Sequence, residues 1–153
     1  MLAQDIMIRS VYKVKEYDKV RAVIEKFIDH RISGLPVVND RNEIVGYISD
    51  GDIMRNIGKK SDRVIDFMYF SMIVSDPCGM EEKVADILEQ NVMKVCRKKV
   101  TTAPWDMDVD RIAAILGNRK IKKLPIERNG VLVGIISRGD VIRHAFGTMI
   151  GHG

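Results

Sequence analysis

GYISDGDIMR (residues 46–55) and GIISRGDVIR (residues 134–143) repeat nearly the same phrase 88 positions apart. Six of the ten positions are identical, and three of the four differences are Tyr/Ile, Ile/Val and Met/Ile. The flanks extend the match: HRISGLPV from His30 corresponds to RKIKKLPI from Arg119, at an offset of 89. The one-residue change in offset falls where NDRNE faces the shorter ERNG. Surface turns absorb such length changes, whereas paired strands do not. The spacing is too long for a solenoid repeat and fits a duplicated small domain.

A chain of 153 residues holds one ordinary domain or two small, closely packed ones. A half of about 55 residues is marginal alone, so the halves are expected to need each other. Hydrophobic content of 46% and charged content of 30% exclude a disordered chain. Cys78 and Cys96 belong to no CxxC and have no nearby His, which argues against a disulfide framework or a metal site. MLAQDIMIRS has no basic head followed by an apolar run, so no signal peptide is read. VIDFMYFSMIV from Val64 is too short to span a bilayer and contains Asp66, so a cytoplasmic protein without membrane attachment is expected. The net charge of +4 suits an anionic ligand or nucleic acid, and equally a solvated surface.

Apolar periodicity supplies the elements. Val11–Val14 reads as a strand, and Asp18 as the N-cap of a helix with Val20, Val23, Ile24, Phe27 and Ile28 on its apolar stripe. Gly34 is expected to stop that helix, Leu35–Val38 to be extended, NDRN to turn and Ile44–Ile48 to return as a strand. Ser49 and Asp52 then open a second helix. The order recurs with Val100–Ala103, a helix capped by Asp106 or Asp108 with Val109, Ile112, Ala113 and Leu116 inward, Leu124–Ile126, the Asn129-Gly130 turn, Val131–Ile136 and a closing helix to about Phe146. The expected fold is α/β (α+β): two β-α-β-β-α repeats packed about a pseudo-two-fold axis. Residues 1–58 and 92–147 are the repeats, 59–91 a helical insert and 148–153 a tail. Val64, Ile65, Met68 and Met72 would form one helix face in the insert, and Val84, Ile87 and Leu88 another.

Ser49-x-x-Asp52 and Ser137-x-x-Asp140 have the form of capping boxes, with Arg55 and Arg143 placed to pair with each Asp at i+3. Gly51 and Gly139, however, cost up to ~1 kcal/mol in a first helical turn. That cost points to something approaching the backbone. A helix start after a strand favours phosphate, and an ionised Asp accepts from paired hydroxyls such as those of a ribose. A nucleoside or nucleotide suits this set.

Two such copies in register, HRISGLPVVNDRNEIVGYISDGDIMR and RKIKKLPIERNGVLVGIISRGDVIR, closely resemble a tandem pair of CBS domains, a Bateman module. DIM ending at Met7 and NVM ending at Met93 add to the likeness. The resemblance implies a non-catalytic regulatory module that requires no cofactor, binds AMP, ADP, ATP or S-adenosylmethionine between its repeats, forms a homodimer and signals to a regulated protein. It assigns ribose and phosphate contacts to Ser49, Asp52, Ser137 and Asp140. Ser33, Gly34, Lys122 and Lys123, just before each Leu-Pro pair, would line the clefts. Lys13, Val14, Thr102 and Ala103 would touch the adenine.

The copies differ at Asp50 against Arg138 and at Ser33-Gly34 against Lys122-Lys123. This predicts unequal clefts, one tolerant of an uncharged adenosyl group and one, with Arg138, favouring phosphate. The two lysines would either fill the second cleft or reach a phosphate. Catalysis has no visible machinery: the three histidines lack companions, and no Ser/His/Asp set, Walker loop or GxGxxG occurs. Trp105 is assigned to packing. The rivals are a nucleic-acid binder using Arg97–Lys99 and Lys120–Lys123, which lacks a recognition helix, and a docking module whose clefts are degenerate.

Overall fold

The computed structural model describes residues 1–58, 79–119 and 121–152. Cys78, Lys120 and the proposed face of Val64, Ile65, Met68 and Met72 lie outside them. A short helix α1 (Ala3–Ile6) precedes β1 (Val14–Lys15), α2 (Val20–His30), β2 (Gly34–Val38), β3 (Ile44–Ser49) and the helical run α3 (residues 50–58). After α4 (Met80–Leu88) and a 3-10 turn at Val92–Lys94 the order repeats. It runs β4 (Ala103–Pro104), α5 (Val109–Asn118), β5 (Lys123–Arg128), β6 (Val131–Ser137) and α6 (Arg138–Phe146). Each repeat is a three-stranded sheet whose middle strand pairs parallel with the first and antiparallel with the third. The β-α-β-β-α order read from the sequence is the observed fold.

The middle strands are apolar on both faces because both are covered: every residue of β2 is buried, as are Leu124, Pro125 and Ile126 of β5. The first strands are shorter and later than their apolar runs suggest. Tyr47 gives both its N–H and its carbonyl to Arg97, so Pro36 opposite directs its backbone toward β1, where it has no N–H to donate. Pairing therefore starts at Val14↔Val37 rather than at Val11. Pro125 repeats this opposite Ile135, and β4 starts at Ala103 rather than Val100.

Several helix ends depart from expectation. Lys19, not Asp18, is the N-cap of α2, because the Asp18 carboxylate accepts from Lys15 N–H at 2.8 Å and closes the preceding turn. That helix ends at left-handed Arg31 (φ 53°), leaving Gly34 free to begin β2. Ile28, eight residues beyond Val20 and therefore roughly 80° round the helix, is 71% exposed. In α5, Asp108 is the N-cap, and the buried side passes through Val109, Ile112 and Leu116, leaving Ala113 exposed.

Two cores result, and each is finished by chain from the other half. Val14, Val20, Val23, Leu35, Val37, Ile48 and Ile53 pack with Ile87 and Val92. Ala103, Ile112, Leu116, Leu124, Ile126 and Ile136 pack with Ala3 and Ile6. Backbone bonds fix the exchange: Ala3 N–H donates to Met107 O at 2.8 Å, and Val92 N–H to Asp18 O at 2.9 Å. Ile8 bridges to Ile135 at the edge of β6, as Arg97 does to Tyr47 at the edge of β3. The first residues of the chain thus pack with the second repeat, and residues near 87–97 with the first. The hairpin tips also meet, with Leu132 N–H donating to Asn42 O at 2.9 Å. Asn129 and Gly130 have the paired positive φ (55° and 82°) of a two-residue hairpin turn. Trp105 packs against the second core, with the Arg128 guanidinium 4.4 Å from its ring centroid.

Candidate functional site: a cationic cleft between two repeats

The repeated phrase builds the same local structure twice. Ser49 N–H and Oγ donate to Asp52 Oδ2 at 2.9 and 3.2 Å, and Ser137 N–H and Oγ to Asp140 Oδ2 at 2.8 and 2.9 Å. Arg55 and Arg143 fold back onto the other carboxylate oxygens, Arg143 at 2.7 Å. Both Asp residues are buried, at 7% and 5% exposure. Burial alone would raise the Asp140 pKa, but the Ser137 hydrogen bonds and Arg143 outweigh it, and the carboxyl is held below its usual range.

These contacts account for much of the phrase. A Cβ on Gly51 would stand 3.2 Å from Arg55 Nη1, and one on Gly139 3.0 Å from Arg143 Nη1. The chain's own arginine approaches the backbone at both, and Gly139 also borders the cavity between the repeats. Gly46 and Gly134 are needed for the exchange: a Cβ on Gly46 would stand 2.8 Å from Cys96 Sγ, and one on Gly134 would collide with Met7 Sδ.

Between the repeats lies a cavity of about 400 Å3. Ser33, Gly34, Tyr47, Ser49 and Asp50 form one wall, and Lys122, Lys123, Pro125, Ser137 and Arg138 the facing one. Arg97, Lys99, Val100 and Thr101 enter along the exchanged segment. Among the described residues, five cations and one carboxylate therefore line the same space. Burial, then the carboxylates of Asp50 and Asp52, push the Tyr47 phenol up to about 12, so it enters as a neutral aromatic face. Arg97 Nε also lies 3.5 Å from Asp52 Oδ1. A second cavity, of about 170 Å3, lies beside Ser137 and Asp140, with Ser10, Val11 and Tyr12 on its other side. Gly34, Lys123 and Ser137 border both.

Of the residues singled out in the sequence, Ser33, Gly34, Ser49, Lys122, Lys123, Ser137 and Arg138 line the larger cavity, and Asp140 the smaller. Asp52 lies behind Ser49 and lines neither. Val14 and Ala103 are core residues, at 2% and 0% exposure. Lys13 is tied to Asn42 Oδ1 at 2.7 Å, and Thr102 lines neither cavity. The cavity-lining stretches are Ser10–Tyr12 and Lys99–Thr101, a few residues earlier, because each chain meets the cleft before it enters the sheet. The expectation that Asp50 and Arg138 belong to separate clefts is corrected: both border the larger one, because the two helix starts face each other across it. Arg138 also donates to Leu116 O at 2.9 Å and Ile121 O at 3.1 Å, closing the end of α5. Gly139, read from the sequence as a point of close approach, also lines the larger cavity, whereas Tyr47, Arg97 and Thr101 were not singled out as cavity residues. The Tyr47/Ile135 difference within the repeated phrase was the available signal for the first.

The family model described as CBS domain matches residues 3–59 and 84–147. The chain belongs to the CBS-domain family. The chain is 31% identical over 157 aligned positions to the uncharacterized protein MJ1426 of Methanocaldococcus jannaschii, spanning 93% of this chain and 89% of that one. Other curated CBS relatives are longer: the chain spans 59% of the length of the chloroplastic CBSX1 protein of Arabidopsis thaliana. The crystal structure of CBSX2 in complex with AMP superposes with a TM-score of 0.73 at 20% identity, covering 97% of this chain and 98% of that one. The CBS domain pair of MJ0100, solved with 5'-methylthioadenosine and S-adenosyl-L-methionine, superposes at 0.69 and 19% identity, covering 97% and 98%. These two likenesses establish the CBS-pair fold. Among the described residues no helix is long and apolar enough to cross a membrane. Among them, too, no group of His, Cys, Asp or Glu is placed to hold a metal.

Proposed function

We propose that the chain is a non-catalytic regulatory module that binds an adenosine-containing ligand in the cleft between its CBS repeats and passes its occupancy to a regulated protein. The observation that carries this reading is the 400 Å3 cavity walled by both repeats. Its size falls in the range of small-molecule sites. Tyr47, Val100, Ile121 and Pro125 offer apolar and aromatic surface for a base, while Ser49, Ser137 and the surrounding lysines and arginines suit hydroxyls and phosphate. The AMP bound by CBSX2 and the adenosyl ligands bound by MJ0100 support the same ligand class. The cationic excess favours AMP, ADP or ATP over S-adenosylmethionine.

Arg97, Lys99, Lys122 and Lys123 converge on a concave cleft, which favours a small anion over nucleic acid. Ligand acts on output only by binding one setting of the two repeats better than another. Exposed Ile142 and Phe146 on α6, at 57% and 56%, support self-association as a homodimer.

Thermal unfolding against AMP, ADP, ATP, S-adenosylmethionine and NAD, with GMP as a control, tests the reading. At a hundred times Kd one ligand stabilises by ~2.7 kcal/mol, or roughly 5–11 °C for a domain of this size. No shift with any adenosine compound at millimolar concentration, on a folded sample, would overturn it.

A further inference from the structure

The two cavities are unequal although the repeats that build them are alike. Strand register shows which residues correspond: Gly34 stands opposite Ser49 in the first sheet, and Lys123 opposite Ser137 in the second. A position with no side chain in one repeat thus carries a lysine in the other. Both positions border both cavities. The partner strands compensate, with Tyr47 beside Gly34 where Ile135 occupies the matching place in the second sheet.

The exchanged segments differ in the same sense. Arg97 pairs with Tyr47 as Ile8 pairs with Ile135, so Thr101 corresponds to Tyr12. Thr101 leaves the larger cavity open, while Tyr12 borders the smaller one with its ring stacked on His30 at a centroid distance of 3.9 Å. Lys123 is partly buried, and burial lowers its pKa against the pull of Asp140. Lys123 and Asp140 line the smaller cavity together.

We infer that the Lys123 side chain takes up the space of a second ligand beside Ser137 and Asp140, so that each chain holds one adenosine-type ligand, in the larger cavity. The inference rests on the ligand-binding reading above and adds its stoichiometry and the residue that sets it. The smaller cavity, at about 170 Å3, lies below the usual range for small-molecule sites.

Isothermal titration of the full chain with AMP and ATP decides the matter, run on the unaltered protein, Lys123→Ala and Lys123→Met. The expected result is one site per chain in the unaltered protein and two in Lys123→Ala. Lys123→Met keeps most of the bulk without the charge and is expected to stay at one. Circular dichroism melts establish that each variant is folded, and Lys123→Gly replaces Lys123→Ala if the latter is not. Two sites in the unaltered protein, or one site in a folded Lys123→Ala, overturns the inference and leaves the binding reading standing. Two sites in Lys123→Met overturns filling by bulk as the cause. No binding by any of the proteins overturns both readings together.

Discussion

The Tyr47 hydroxyl lies 2.5 Å from the point where a Cβ on Gly34 would stand. The ring that walls the larger cavity is therefore there by permission of Gly34, diagonal to it across the strand pair. Gly34→Ala forces the phenol aside and is expected to cost ~1–3 kcal/mol. Tyr47→Phe removes the closest atom, so the Gly34→Ala/Tyr47→Phe double variant should recover part of that loss in urea melts. Additive losses in the double variant would refute the pairing.

The exchanged segments can be tested by comparing two neighbours. Ile6 is 4% exposed in the second core, whereas Ile8 is 48% exposed at the sheet edge. Ile6→Ala is expected to destabilise by ~2–5 kcal/mol, and Ile8→Ala by under ~1 kcal/mol. Equal denaturant midpoints for the two would show that the first residues do not complete that core.

Asp140 predicts an acid limb. Folding lowers its pKa, so between the folded and unfolded values the unfolded chain binds more protons and stability rises with pH. The contribution is complete above the unfolded value of about 3.9 and is lost as pH falls through the lower folded value. Asp140→Asn should flatten the dependence of the urea midpoint on pH below about 4. An unchanged acid slope in the variant would count against the network at Ser137 and Arg143.

Among the described residues, Asp50 is the one carboxylate beside five cations lining the larger cavity. Its removal relieves repulsion toward phosphate, so Asp50→Ala should tighten AMP and ATP, most at low salt. Lys122→Ala should weaken them by about tenfold, one charge-assisted contact of ~1.5 kcal/mol, with little effect on uncharged adenosine. A Lys122→Ala loss equal for adenosine and ATP would mean the lysine shapes the cavity rather than holding phosphate.

The duplication, the element order and the two Ser-x-x-Asp helix starts were legible because they are local: a period, a cap and a spacing. The ends of β1 and α2 were not, since they depend on which way Pro36 directs its missing N–H and on Asp18 turning back to Lys15. Gly51 was read as a point of close approach to the backbone, and the side chain of Arg55 in the same helix stands there. The cavity walls were half visible. Residues from the repeated phrase were found, but Arg97 and Thr101 reach the cleft only because their segment crosses to the other repeat, and no periodicity encodes that crossing.

That crossing has a consequence for how the chain comes into being. Residues 3–8 leave the ribosome early, but Ile126, Ile135 and Ile136, on which they settle, come more than a hundred residues later. A nascent chain that stops short of β6 carries an amphipathic clasp with nothing to close on. Such long-separation contacts slow folding and leave apolar surface uncovered in the interval. Nor could a gene break inherit either half intact: a cut between 58 and 79 would give one fragment lacking Ile87 and Val92, and another lacking Ala3 and Ile6. The duplication, once clasped, became indivisible.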